Sequence, residues 1–281
     1  MKKLKFILPI LALIVLFTSC NPSDDNPVVD ETDGLQKVTE FSNQDHTIEM
    51  YTKSGKFYTG YNEISIRIKN NTDNTYFNDY TINWMPKMVM PSMTHSCPKS
   101  TISKDLEADS LYKGYLVFQM TNADNSGWSI KFIYTINNVE YTMEDTISVL
   151  QAPRQRVIVF TGSDGVKYIL AMVNPSKPEI AINDMEVTLH KMENMMSFPV
   201  VENYTITLDP RMPSMGNHSS PNNTDLTYTT DKMMYSGDLS LTMTGYWKLN
   251  LKLLNPNGEV LKGEDITDDV LSSSLYLEIE F

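Results

Sequence analysis

The chain contains one residue pattern twice. Met-Pro-Ser-Met occurs at 90–93 and again at 212–215, and a histidine follows each copy. Self-similarity of this kind predicts two homologous domains, which we place at residues 37–152 and 153–281. The matched pairs that follow in the same order are His95 and His218, Pro98 and Pro221, Tyr112 and Tyr235, Gly114 and Gly237, Met120 and Met243, and Trp128 and Trp247.

Both halves consist of short segments of alternating polarity, rich in Val, Ile, Thr and Tyr and separated by turn signals such as Asn137-Asn138. Alternation with period two is typical of strands with one buried face. The sequence therefore predicts an all-β fold of two tandem Ig-like antiparallel β-sandwich domains, with one short helical turn near 265–271. The predicted strands are 63–69, 115–120, 128–136, 157–160, 168–173, 186–189, 239–243, 247–253 and 275–281.

The N-terminus has the pattern of an export signal. Three lysines precede an apolar run at 6–17, which is too short for a membrane-spanning helix of about 20 residues. The run ends in Thr-Ser-Cys, which resembles the lipobox of bacterial lipoproteins. We expect a signal peptide at 1–19, a lipid anchor at Cys20 and a flexible tether at 20–36. These features predict a cell-envelope protein held on the outer membrane through its lipid.

Charge and motif content exclude several functions. The chain has 35 acidic and 23 basic residues, a net charge of −12, which disfavours a nucleic-acid partner. It has four histidines and contains no Gly-rich phosphate loop, no Cys-x-x-Cys and no His-Glu-x-x-His. The sequence predicts that the protein is not an enzyme, and an envelope protein is its candidate partner.

Methionine is the unusual component, with 18 residues in 281. A thioether is a soft neutral ligand and an imidazole a borderline one, so a cluster of Met and His favours copper over Mg²⁺, Ca²⁺ or Zn²⁺. We expect one copper site in each domain. The candidate ligands are Met90, Met93, His95 and Met120 in the first domain, and Met212, Met215, His218 and Met243 in the second.

The same residues have a purely structural interpretation. Methionine fills gaps in cores, and its sulfur packs well against rings such as those of Trp128 and Trp247. The residues alone leave both interpretations open. Cys97 has Ser220 at the corresponding position, so a thiol is not a shared requirement, and we expect a buried, inert thiol there.

A second methionine cluster follows His190 and comprises Met192, Met195 and Met196. The first half has no counterpart that contains a histidine. Strand alternation puts His190 and Met192 on the face opposite Leu189, away from the core of their own domain. Their partner is either a metal or another domain.

Three segments of the second half resemble the FixH/YtkA-like domain: Met-Pro-Ser-Met-Gly-Asn-His at 212–218, Tyr-Ser-Gly at 235–237 and Leu-Thr-Met-Thr-Gly-Tyr-Trp at 241–247. That family is an Ig-like β-sandwich of exported and membrane-anchored bacterial proteins. The resemblance covers most of 155–255 and, less distinctly, 60–136. It implies an envelope lipoprotein with a role in copper handling or oxidase assembly, and no established enzymatic activity.

A function of a different class remains open. In it the protein is a surface interaction or adhesion module that binds a protein or a glycan, and the methionines serve only for packing.

Overall fold

The computed structural model describes residues 30–281, of which 31–281 form one compact unit. The predicted signal peptide, Cys20 and the tether as far as residue 29 lie outside the described residues. The tether predicted to reach residue 36 is ordered from Glu31 onward, because the Glu31 carboxylate accepts hydrogen bonds from the backbone N–H groups of Asp109 (2.8 Å) and Ser110 (3.1 Å). Within residues 30–281, no helix is long and apolar enough to cross a membrane.

The described part of the chain is almost entirely strands and turns, which confirms the predicted all-β class. The first half contains eleven strands: β1 (Gln36–Ser42), β2 (His46–Thr52), β3 (Phe57–Tyr58), β4 (Gly60–Asn70), β5 (Thr81–Val89), β6 (Thr94–His95), β7 (Ser103–Lys104), β8 (Tyr112–Phe118), β9 (Gly127–Ile136), β10 (Val139–Ile147) and β11 (Val149–Leu150).

The second half contains ten strands and one 3₁₀ turn at Pro213–Met215. The strands are β12 (Val157–Thr161), β13 (Lys167–Asn174), β14 (Ile182–Lys191), β15 (Thr205–Met212), β16 (His218–Ser219), β17 (Leu226–Thr229), β18 (Met234–Ser240), β19 (Tyr246–Leu254), β20 (Val260–Lys262) and β21 (Leu275–Glu280).

Each half is a sandwich with its own core. In the first, a sheet of order β1-β2-β4-β8-β7 faces a sheet of order β10-β9-β5-β6, and the short β11 pairs with β3 in parallel. Side chains from both sheets, among them Ile66, Trp84 and Trp128, form one buried cluster. In the second half, the order β12-β13-β14-β18-β17 matches the order β1-β2-β4-β8-β7 of the first half. Strand β17 also pairs with β15, β15 pairs with β19, and β19 pairs with both β20 and β21. Its cluster is built around Leu189, Tyr235 and Trp247.

The alternation of β9 shows why these segments become strands. Its residues alternate between half-buried and buried along the whole strand, so every second side chain enters the core. Asn137 and Asn138 then adopt positive φ angles of 51° and 63°, the conformation of a two-residue hairpin turn, and Ile136 pairs with Val139 across it. The predicted turn therefore sets the register of β9 and β10.

Several elements differ from the sequence predictions. The strands that were not predicted are β1, β2, β3, β5, β6, β7, β10, β11, β15, β16, β17 and β20. The helical turn expected near 265–271 is wrong: this segment is irregular, and within it the Thr267 N–H donates to the Val270 carbonyl at 3.0 Å. The strand predicted at 239–243 is β18, which lies earlier and ends at Ser240.

Strands β5 and β15 escaped sequence prediction because each contains a proline, Pro86 and Pro210, which is unusual within a sheet. Pro86 lies opposite Ile130 of β9, and Pro210 lies opposite Leu249 of β19. The two prolines therefore hold corresponding positions in the two sandwiches.

The two sandwiches pack against each other through the outer faces of β8 and β13. Tyr115 and Val117 of β8 form a buried cluster with Ile169 and Ala171 of β13. These strands are covered on both faces, since their other side chains enter the cores of their own sandwiches. The two cavities described below lie at opposite ends of β13.

Candidate functional site at the junction of the sandwiches

The first Met-Pro-Ser-Met segment forms the tight connection between β5 and β6. The Met90 N–H donates to the Met93 carbonyl at 2.9 Å, and the chain then returns so that His95 pairs with Met88. Met90 is half-buried and packs on the core, whereas Met93 is 45% exposed. The turn thus leaves the Met93 side chain more exposed than that of Met90.

This space is a cavity of about 410 Å³ at the junction of the two sandwiches. All four candidate ligands of the first domain line it, and so do two methionines of the second cluster. The six are Met90, Met93, His95, Met120, Met192 and Met195, and the rest of the wall comprises Gln119, Val159, Lys167, Ile169 and Phe198. Five methionines and one histidine therefore line one space.

His95 is held in a defined orientation. The residue is 8% exposed. Its ring meets the Trp128 ring edge-on with centroids 5.6 Å apart and has Nδ1 2.8 Å from the Ser96 carbonyl oxygen. A carbonyl only accepts, so Nδ1 carries the proton and, in the neutral ring, Nε2 keeps its lone pair. His95 can therefore offer Nε2 as a nitrogen ligand.

The second methionine cluster reaches the cavity on a connection between β14 and Val200. His190 forms a bridge with Val200, and a tight turn at 194–197 closes the tip. The Met195 carbonyl accepts a hydrogen bond from the Ser96 N–H of the first sandwich at 2.8 Å. This backbone contact fixes Met192 and Met195 beside the His95 loop.

His190 lies at the base of that connection, in the contact between the sandwiches. It is 1% exposed, its Nδ1 is 3.0 Å from the Phe198 carbonyl oxygen, and Tyr115 of β8 lies against its ring. Burial lowers the pKa of His190 to about 4, so the ring is neutral at pH 7. Nε2 is buried without a hydrogen-bond partner in the described residues.

One polar atom of the cavity wall lacks a partner. The Gln119 side-chain oxygen is buried and makes no hydrogen bond within residues 30–281. Buried polar atoms of this kind call for an explanation, such as a bound ion or water. A ligand in the cavity that contacts the Gln119 oxygen would supply such an explanation.

The candidate ligands of the second domain are not brought together in the same way. Met212 is 3% exposed and belongs to the core, with its methyl group against Gly245, and Met243 packs on the same core. Met215 is 57% exposed, and His218 is exposed although it pairs with Met212 across β15 and β16. Half of this set thus serves packing, while the other half faces solvent.

Strand register changes how the two copies correspond. Met88 pairs with His95, and Met212 pairs with His218. Met212 therefore corresponds to Met88, a buried core residue. The counterpart of Met90 lies in the segment that follows Met212. The identical Met-Pro-Ser-Met segments are shifted relative to their strands, because six residues separate Met88 from His95 and five separate Met212 from His218.

Several other matched residues have structural roles. The indole N–H of Trp128 donates to the Met120 carbonyl at 2.9 Å, and that of Trp247 donates to the Met243 carbonyl at 3.0 Å. These contacts use the methionine backbone and leave the thioether of Met120 free to line the cavity. Likewise, the Tyr112 hydroxyl accepts from the Tyr80 N–H, and the Tyr235 hydroxyl accepts from the Tyr204 N–H.

Cys97 is free and buried, and it does not line the cavity. Burial raises the pKa of its thiol, which disfavours the thiolate that binds metals. Ser220 is buried at the corresponding place in the second sandwich. No group of three or more His, Cys, Asp or Glu side chains placed to hold a metal occurs among residues 30–281, so a metal there would depend on thioethers.

Sequence reasoning assigned Met192 and Met195 to a separate cluster and omitted Gln119. The spacing of Met192 and Met195 gave no reason to join them to Met90 or Met93, about one hundred residues away along the chain. The signal that the sequence did offer was the excess of methionines in this segment, on a strand face that points away from the core of its own domain.

Comparison with known proteins gives no family. No family model matches the chain, and no curated protein matches it. A solved structure of FdeC, an adhesin of Escherichia coli, aligns over 85% of this chain and 74% of its own with 11% identity and a TM-score of 0.24. A likeness this low supports no conclusion about fold or function.

Proposed function

We propose that the protein binds Cu(I) at the junction cavity and serves copper handling in the cell envelope, where Cys20 carries its lipid anchor. The observation that carries this proposal is the convergence of Met90, Met93, His95 and Met120 with Met192 and Met195 on one cavity. Soft thioethers favour Cu(I) over harder cations, and the resemblance to the FixH/YtkA-like domain supports the same assignment.

The donor set fits the ion. Thioethers are neutral and carry no proton, so their binding to copper releases none. His95 has its Nδ1 committed to Ser96, which leaves Nε2 available. Methionine side chains rotate about three bonds and adapt to an irregular space, so several of them can close on one ion. The proposed role is binding and transfer, without a catalytic step.

A chelator-competition titration with Cu(I) tests the proposal. We expect the unmodified protein to bind one Cu(I) tightly. Met93→Leu with Met120→Leu and His95→Gln should weaken binding about a hundredfold, or about 2.7 kcal/mol, because Leu keeps the volume and removes the sulfur.

The second copy of the motif supplies the matched control. Met215→Leu with His218→Gln changes the same residue types at exposed positions, and we expect the affinity for Cu(I) to stay unchanged. Absence of Cu(I) binding by the unmodified protein, or equal loss in both variants, would contradict a site at the junction.

The size of the cavity favours a second candidate function. A volume of about 410 Å³ exceeds what one ion needs, and Val159, Ile169 and Phe198 add apolar wall. Adaptable methionine surfaces also bind apolar segments of other proteins. In this alternative the protein is a surface interaction module, and the cavity receives an apolar side chain or segment of an envelope partner.

Leucine substitutions separate the two functions. The apolar dye 8-anilinonaphthalene-1-sulfonate serves as a probe of the metal-free cavity. If the cavity is an apolar binding site, Met93→Leu with Met120→Leu should keep dye binding, whereas Met93→Glu should reduce it. A protein that binds Cu(I) and does not bind the dye would argue against this alternative.

A further inference from the structure

A second cavity lies at the other end of β13. It is a cleft of about 360 Å³ between the turn at 52–56, the segment 58–63, the linker 152–156 and the segment 172–176. Its wall combines apolar groups, such as Pro153 and Met172, with the side chains of Lys53, Lys56 and Arg156. The cleft is therefore half apolar and carries an excess of positive charge.

Arg156 differs from every other arginine of the chain. Arg67 pairs with Glu49, Arg154 with Glu280 and Arg211 with Asp209. Arg156 has no carboxylate partner in the described residues, and its single side-chain hydrogen bond runs from Nη2 to the Pro175 carbonyl at 3.0 Å. Burial lowers the pKa of this guanidinium. The Arg156 guanidinium is half-buried and has no ion-pair partner among the described residues, although acidic residues outnumber basic ones in this protein. Most of its N–H donors therefore remain available to an external acceptor.

Two lysines extend the positive charge to the rim. Lys53 and Lys56 belong to a turn that is closed by the Thr52 hydroxyl, which accepts from the Lys56 N–H at 3.3 Å. Neither lysine forms an ion pair among residues 30–281. Glu63 is the one carboxylate on the cleft wall, so three cations face one anion there.

The floor of the cleft is preformed. The Asn62 side chain accepts from the Tyr58 N–H at 3.0 Å and donates to the carbonyls of Tyr58 and Gly60 at 2.8 and 2.9 Å. The linker is fixed to this segment, because the Ala152 N–H donates to the Thr59 hydroxyl at 3.0 Å. A ligand that enters therefore meets an ordered surface and loses little affinity to ordering it.

From this arrangement we infer that the cleft binds the oxyanion group of a small ligand, a carboxylate or a phosphoryl group, through the Arg156 guanidinium with Lys53 and Lys56 at the rim. Guanidinium matches the geometry of both groups in a two-point contact. The rest of the ligand lies against Pro153, Met172 and the rings of Tyr58 and Tyr61. This site is separate from the methionine cavity and does not depend on copper.

Calorimetric titration of the purified protein at low ionic strength tests the inference. The probes are inorganic phosphate, glucuronate as a ring with a carboxylate, and glucose as its neutral counterpart. We expect at least one of the two anions to bind and glucose not to bind. Arg156→Gln should weaken anion binding at least about tenfold, since a charged hydrogen-bond donor is lost.

Two further variants keep the test decisive. Arg154→Gln removes a neighbouring arginine that pairs with Glu280 outside the cleft, and it should bind the anions like the unmodified protein. Lys53→Gln with Lys56→Gln changes only the exposed rim and should weaken binding by a smaller factor, even if Arg156→Gln disturbs folding.

The pattern of binding identifies the ligand class. Binding of glucuronate alone assigns a carboxylate ligand, and binding of phosphate alone assigns a phosphoryl ligand. Failure of both anions to bind, equal binding of glucose and glucuronate, or unchanged affinity in both the Arg156 and the lysine variants would overturn the inference.

Discussion

The two halves share a strand order. They differ in the connection that follows β4 in the first half and β14 in the second. In the first, Lys69 forms a bridge with Tyr76 and closes a connection of 70–75; in the second, His190 forms a bridge with Val200 and closes the longer connection of 191–199. The longer connection carries Met192 and Met195 to the methionine turn of the other sandwich. The shorter one carries no methionine.

The repeated strand order therefore comes with two methionine turns and one junction. The first turn faces the second sandwich and gains two thioethers from it, whereas the corresponding turn at 213–217 faces solvent or its own core. A repeated motif need not give a repeated site, because a site at a domain contact depends on a neighbour that each copy meets differently.

The largest expected effect is on the free energy of unfolding and concerns a glycine that the two halves share, Gly114 in the first and Gly237 in the second. A Cβ on Gly114 would lie 2.8 Å from the Trp84 ring, and one on Gly237 would lie 2.9 and 3.0 Å from the backbone oxygens of Thr224 and Asp225. We expect Gly237→Ala to lower the free energy of unfolding by about 3 kcal/mol and Gly114→Ala by somewhat less, since a ring can shift further than backbone. Denaturant titration measures both.

Gly127→Ala is the control for that pair. A Cβ on Gly127 would meet only the Asn122 side chain at 3.4 Å, so the change in stability should be small or slightly favourable. Tolerance of alanine at Gly237 but not at Gly114 would show that the two close approaches are not equivalent.

The next effect is a dependence of stability on pH. Burial lowers the pKa of His190 from 6.5 to about 4, so the unfolded chain binds a proton more readily than the folded one between these values. Stability should therefore fall as the pH falls through this window, by about 2 kcal/mol between pH 7 and pH 5. Burial also lowers the pKa of His46 in the first half, so His190 accounts for one part of this dependence. Unfolding titrations at both values measure the loss, and His190→Gln should remove this part of it.

Lys69 occupies the corresponding position of the first half, and Lys69→Gln should leave the pH dependence as it is in the unmodified protein. The carboxylate of Glu49 has a pKa lowered to about 2, with burial opposing and hydrogen bonds from Tyr51 and Arg67 causing the decrease. The stability that Glu49 contributes is lost only below the ordinary glutamate pKa of 4.5. This loss therefore lies outside the interval between pH 7 and pH 5. Equal slopes for the His190 variant and the unmodified protein would assign the pH dependence to other groups.

The smallest effect concerns the contribution of the second half to the cavity. Met192→Leu with Met195→Leu should weaken Cu(I) binding about tenfold, or about 1.4 kcal/mol, although neither residue belongs to the repeat. Chelator competition measures it. Met196→Leu alters an exposed neighbour that does not line the cavity and should leave the affinity unchanged. An unchanged affinity in the double variant would restrict the site to the first sandwich.

Nine of the 21 strands in the described part of the chain were predicted, because one buried face imposes alternation that can be read locally, as along β9 and β19. Strands β5 and β15 were missed because Pro86 and Pro210 interrupt the pattern that identifies a strand. The expected turn near 265–271 failed because a short polar segment carries little periodicity. The residues that flank the segment are joined directly, since the Glu264 N–H donates to the Ser273 hydroxyl at 3.1 Å.

For the candidate site, residue type was predictable and grouping was not. The sequence specifies the chemistry of Met90, Met93, His95 and Met120, because ligand softness and the tight turn are properties of the residues themselves. Their assembly with Met192 and Met195 follows from how β8 and β13 pack. The burial of Met212 follows from its position on β15 in the core of the second sandwich. Contacts between distant segments depend on the shapes of two folded surfaces, and no local pattern along the chain encodes that fit.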